Sequence, residues 1–112
     1  MMTIETVTFS IPGESPKQIA AKVESALETY ENRDDVAVRF VFDVSARACF
    51  MRPGRLMELK RVVEPYRSRV RMTCCFNEVV VPNSGVGLAA RAAVAFLKPD
   101  VPTRVRVRKR DD

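Results

Sequence analysis

At 112 residues, with 46% apolar and 29% charged side chains, the chain is long enough to bury one core and too short for two, so residues 1–112 read as a single domain. The absence of histidine excludes Ser-His-Asp and Cys-His catalytic constellations, imidazole proton shuttles and Cys/His zinc sites. The formal charge of +5 is lopsided: residues 1–46 carry four basic groups against eight acidic ones, residues 47–112 fifteen against six, and fourteen of the nineteen cations are arginines, whose planar fork suits carboxylate and phosphate partners.

Along the chain, Glu5 to Phe9 is rich in β-branched and aromatic residues and predicts a short strand broken by Pro12-Gly13. Ser15-Pro16-Lys17-Gln18 is a helix start, with a capping serine, proline at the first helical position and glutamine at the third. Ile19, Val23, Ala26, Leu27 and Tyr30 then recur at helical spacing, which predicts an amphipathic helix ending near Asn32. Val36 to Val44 is apolar except for Arg39 and Asp43, as expected of a central strand covered on both faces, with Phe40 and Phe42 in the core.

After a loop through Ser45 to Arg52, Pro53 opens a second predicted helix, with Leu56, Leu59, Val63 and Tyr66 on one side and an end or distortion at Pro65. Val70 to Val81 is the third predicted strand. Pro82-Asn83-Ser84 caps an alanine-rich helix over Val86 to Leu97, in which Leu88, Ala92, Ala95 and Phe96 are available for packing. Finally, Arg104 to Arg108 alternates at period two and places Arg104, Arg106, Arg108 and Arg110 on one face of a half-exposed edge strand. The order βαβαβαβ predicts an α/β domain with a mostly parallel four-stranded sheet and helices packed on it.

Chemistry-bearing groups are sparse. Cys49, Cys74 and Cys75 lack C-x-x-C spacing and read as small buried hydrophobes of a reducing compartment. Asn83-Ser84-Gly85-Val86-Gly87 lacks the Lys-Ser/Thr of a Walker loop and the three glycines of a dinucleotide fingerprint. Asp43 has no partner carboxylate nearby in sequence and reads as a structural group. No metal, no cofactor and no enzymatic activity are expected. No apolar run approaches the roughly 18 residues of a membrane span, and the start of the chain lacks a secretory signal, so the expected address is cytoplasmic with no membrane insertion.

Three stretches carry a family resemblance: Val7-Thr8-Phe9-Ser10-Ile11-Pro12-Gly13, the apolar strand Val38 to Val44 ending in Asp43-Val44-Ser45, and Ala48-Cys49-Phe50-Met51 leading into a helix. Together with the capped helix between them they resemble the STAS domain of anti-sigma-factor antagonists and sulphate-transporter tails. The resemblance extends through Val79-Val80-Val81-Pro82-Asn83 and covers residues 5–108. It implies a non-enzymatic protein-interaction module. Two departures stand out: the family commonly has a further strand before the first, and its regulatory members carry Asp-Ser-Ser-Gly where this chain has Arg52-Pro53-Gly54-Arg55. The acceptor hydroxyl of the phosphorylation switch is missing there, and Ser45 is the alternative acceptor.

Arg47, Arg52 and Arg55, with Ser45, are the candidate partner-binding residues, on a loop and helix start suited to an acidic protein surface. The alternative is a basic nucleic-acid-associated or assembly protein, such as a component of a virion or other large particle, using Arg104, Arg106, Arg108 and Arg110. The exposed edge strand also admits a homodimer.

Overall fold

The computed structural model describes residues 2–11, 13–45 and 52–108, the side chain of Pro53 excepted. Its elements are β1 (Thr3–Ile11), α1 (Pro16–Tyr30), β2 (Val36–Val44), α2 (Pro53–Val63), a 3-10 turn (Glu64–Tyr66), α3 (Arg67–Met72), β3 (Cys75–Val81), α4 (Ser84–Leu97) and β4 (Thr103–Val107). All four strands are parallel in the order β1-β2-β3-β4, the predicted α/β class.

This strand order has a consequence that the apolar pattern of β2 does not convey. Each crossover steps to the next strand in the same direction, and right-handed connections then put every helix on one face. Among the described residues the helices therefore cover one face of β2, not both, although Ala37 on the other face is also buried. Val38, Phe40, Phe42 and Val44 point toward the helices, and Arg39, Val41 and Asp43 toward the opposite face.

On the helical side, Phe9 stacks on Phe42 with ring centroids 4.8 Å apart and meets Phe40 at 5.9 Å. Ile19, Val23, Ala26 and Leu27 of α1 close over these rings. The start of α1 is a complete capping box. The Ser15 hydroxyl accepts from the Gln18 amide at 3.2 Å, and the Gln18 side chain accepts from the Ser15 amide at 2.8 Å. Phe42, predicted for the core, is only half-buried. It borders an apolar cavity of about 200 Å³ between the sheet and α2, also lined by Leu56, Leu59, Val63 and Val79. The predicted apolar side of α2 faces this cavity, so Leu56, Leu59 and Val63 are half-buried.

The strand predicted over Val70 to Val81 is corrected to a helix followed by a shorter strand. Pro65 lies in the first turn of the 3-10 segment, where its missing amide has no partner to lose, and the chain resumes helical structure at Arg67. Side-chain contacts hold that helix. The Arg67 guanidinium donates to the Asp100 carboxylate at 3.0 and 3.1 Å and to the Lys98 carbonyl at 2.9 Å, and the Tyr66 hydroxyl donates to Glu24 at 2.9 Å. The Thr73 hydroxyl and amide both donate to the Arg69 carbonyl, while the extended backbone of Thr73 turns the chain into β3.

Two further expectations change. Of the paired cysteines, Cys75 is buried and Cys74 is exposed, because neighbours on extended backbone point to opposite sides. Cys49 lies outside the described residues. In α4 the buried residues are Gly87, Ala90 and Ala93, while Leu88, Ala92, Ala95 and Phe96 face outward, opposite to the predicted packing. Close approach explains the choice of face: a Cβ on Gly87 would lie 3.5 Å from a Val81 methyl, so the helix seats its smallest residues on β3.

Candidate functional site

Because the strands are parallel, their C-terminal ends form one edge of the sheet, where α1, α2 and α4 all begin. Ser45 lies on this edge, one residue past β2. It is exposed, and its amide donates to the Ile11 carbonyl at 2.9 Å. Arg52 is the N-cap of α2 and Arg55 lies in its first turn, both exposed. Arg47 lies outside the described residues. Sequence order and strand direction thus bring Ser45, Arg52 and Arg55 to the same edge.

The start of α2 departs from good helix chemistry. α1 and α4 are each capped by a side chain, Ser15 in one and Asn83 in the other, whose Oδ1 accepts from the Val86 amide at 2.9 Å. Arg52 has only donors and makes no side-chain cap, and the first turn of α2 contains no acidic residue. Two arginines thus sit where the helix dipole is positive, an arrangement that opposes the local field. Basic residues Lys60 and Arg61 occupy the favourable last turn.

The second candidate set lies on the helix-free face. Arg104, Arg106 and Arg108 do share one face of the edge strand β4, as the alternation predicts, and Arg110 lies outside the described residues. Two of the three are held by carboxylates of neighbouring strands. Arg106 donates to Glu78 of β3 at 3.1 Å, and the Arg108 guanidinium donates to Asp43 of β2. Asp43, read from the sequence as structural, is thus the anion that faces the C-terminal end of the ladder. On the same face Arg39 donates to the Thr6 hydroxyl at 3.0 and 3.2 Å. Arg104, opposite Glu78 in the strand register, is exposed.

Sequence reasoning missed Glu78, whose only signal was the Asn77-Glu78 break in an otherwise apolar strand. It also missed the outward apolar face of α4, for which the near-absence of charge in that helix was the available signal. The glycines of the Asn83 to Gly87 turn serve packing: Gly85 lies against the capping oxygen of Asn83 and Gly87 against Val81. Burial pushes the Cys75 thiol up to about 11, with the neighbouring Cys74 adding to the effect. Among the described residues no group of three or more Cys, Asp or Glu side chains is placed to hold a metal ion, and no helix is long and apolar enough to cross a membrane.

Comparison with protein-family models, with curated proteins and with solved structures found no match.

Proposed function

We propose that this chain is an intracellular, STAS-like, non-enzymatic docking module that engages a protein with an acidic surface through the edge carrying Ser45, Arg52 and Arg55 and the adjoining face of α2. The observation that carries this reading is the uncapped start of α2. With no side-chain cap and no acidic residue in its first turn, this end of α2 presents the positive end of the helix dipole beside the exposed Arg52 and Arg55, a setting that favours an anionic surface. An acidic surface brought to this edge would meet the guanidinium groups and the helix dipole together.

The second reading, a nucleic-acid-associated or particle component that uses the β4 ladder, draws support from the shared face of Arg104, Arg106 and Arg108. It is the weaker of the two, because Glu78 and Asp43 already engage two of those cations. The deciding experiment is affinity purification from the native source with the wild-type chain and with the Arg52→Glu/Arg55→Glu double variant. Loss of the co-purifying protein in the double variant is the expected result. Retention of the full complement would refute the docking edge. Nuclease-sensitive recovery dependent on Arg104 would favour the second reading.

A further inference from the structure

The outer side of the helical layer has a character unlike the rest of the surface. Around α4 the buried positions Gly87, Ala90 and Ala93 occupy one side, but the opposite side is also apolar: Leu88, Ala89, Ala92, Ala95 and Phe96 are all exposed, Leu88 at 68% and Phe96 at 42%. A helix apolar all round is normally enclosed, and this one is enclosed on one side only. Beside it, Met57 of α2 is 61% exposed, and a shallow groove between the two helices is lined by Met57, Lys60, Arg61, Glu64, Pro65 and Phe96. Large apolar side chains clustered at a groove mark a contact surface more strongly than singly scattered ones do.

The charges around this patch narrow down its occupant. Lys60 lies with its ammonium 5.0 Å from the Phe96 ring centre and donates to the Phe96 carbonyl at 3.4 Å. Arg61, Arg91 and Lys98 are exposed on the same two helices and the turn after α4. The carboxylate in the groove, Glu64, accepts from Arg67 at 3.3 Å and is already engaged. A second copy of this chain would set these cations against their own equivalents. An anionic lipid surface would not use the concavity between α2 and α4.

We infer that the α2–α4 groove and the outer face of α4 beside it receive an amphipathic helix of another protein, its apolar stripe on Met57 and Phe96 in the groove and Leu88 on that outer face, and its acidic flanks on Lys60, Arg61 and Arg91. This rests on the docking reading above and names the partner's chemistry: a helix placed in a groove, with apolar anchors at helical spacing and carboxylates beside them. The two surfaces adjoin along α2, whose first turn carries Arg55 and whose last turn carries Lys60 and Arg61.

The test uses the full chain and a fluorescent designed helix of about 18 residues, five turns, with leucines along one stripe and glutamates elsewhere. A sister peptide carries lysine in place of glutamate. The acidic peptide should bind saturably and the lysine peptide should not. Met57→Glu and Leu88→Glu, both at exposed positions, should each weaken binding by about tenfold or more while the circular dichroism melting midpoint stays at the wild-type value. Four results would overturn the inference: no binding of the acidic peptide, equal binding of the lysine peptide, capture by phosphatidylserine-containing vesicles that depends on Leu88, or self-association abolished by Leu88→Glu. The peptide contact is read at Met57 and Leu88 and the docking edge at Arg52 and Arg55, so either can fail while the other stands.

Discussion

Arg69 grips Glu31 with both arms of its guanidinium, Nε to Oε2 and Nη2 to Oε1 each at 2.9 Å, and so ties α3 to the residue that ends α1. Arg67 makes the equivalent pair of contacts to Asp100, which ties the same helix to the turn before β4. These pairs secure a segment that has no fully buried side chain and whose Val70 is only partly buried against the core.

Acid should loosen this segment. Hydrogen bonds from Arg69 and Arg67 hold the Glu31 and Asp100 carboxyls below their ordinary values of 4.5 and 3.8. A carboxyl whose folded value is depressed contributes stability above its unfolded value and loses it as the pH falls through the folded one. The melting temperature should therefore decline as the pH is lowered from about 5 to about 3, and the Glu31→Gln/Asp100→Asn variant should show a shallower decline. Both pairs are partly exposed and screened, so raised salt should flatten the wild-type profile as well. Thermal melts by circular dichroism across this range check the effect.

Gly87→Ala should stabilise the fold. The added methyl would sit in ordinary contact with Val81, and replacing glycine by alanine inside a helix gains up to about 1 kcal/mol. A rise of a few degrees in melting temperature is expected. Gly87→Leu, which must place a full side chain against the buried Val81, should lower the midpoint instead. Denaturant melts of the two variants beside the wild type measure both effects.

How much of this was legible in the sequence depended on whether a segment contains contrast. α1 announced itself because its capping box and its charged outer face give the apolar stripe a phase, and the period-two run at Arg104 to Val107 placed its arginines on one face for the same reason. α4 has a single charge, Arg91, so an apolar pattern that fits every phase could not say which side is buried; the small residues that seat on Val81 decided it. Val70 to Met72 reads as strand locally but continues the helix that begins at Arg67, and the contacts of that helix, Arg67 to Asp100 and Arg69 to Glu31, join residues far apart in the chain. β2 looked enclosed on both sides, since one-sided coverage follows from strand order, a property of the whole chain. At the candidate site, Ser45, Arg52 and Arg55 were found by type and position, whereas the neutralising Glu78 and Asp43 required the register.

The two adjacent cysteines should differ sharply in reactivity. Cys74 is exposed, while Cys75 is buried with its thiol pushed up to about 11, which leaves about one molecule in a thousand as thiolate at pH 8. Brief iodoacetamide treatment of the native chain, followed by fragment-resolved mass spectrometry, should label Cys74 and leave Cys75 unmodified. In denaturant both should react. Labelling of Cys75 in the native chain at a rate comparable to Cys74 would mean that the start of β3 opens far more readily than its burial allows.

Removing the carboxylates that engage the β4 ladder should create a phosphate-binding surface that the wild type lacks. Glu78 holds Arg106 and Asp43 holds Arg108, so the Glu78→Gln/Asp43→Asn variant removes two carboxylates that compete with an external anion for the ladder. Each phosphate newly neutralised releases about one condensed counterion, so the slope of log affinity for duplex DNA against log salt should steepen by about 1 for each guanidinium that engages a phosphate. Glu28→Gln/Asp34→Asn, which raises the net charge equally at exposed positions away from β4, should leave that slope unchanged and so separates a local surface from a general charge effect. A wild-type slope already as steep as that of the unmasked variant would show that these ion pairs yield to DNA without help. In that case the ladder, and not the start of α2, would be the surface to pursue.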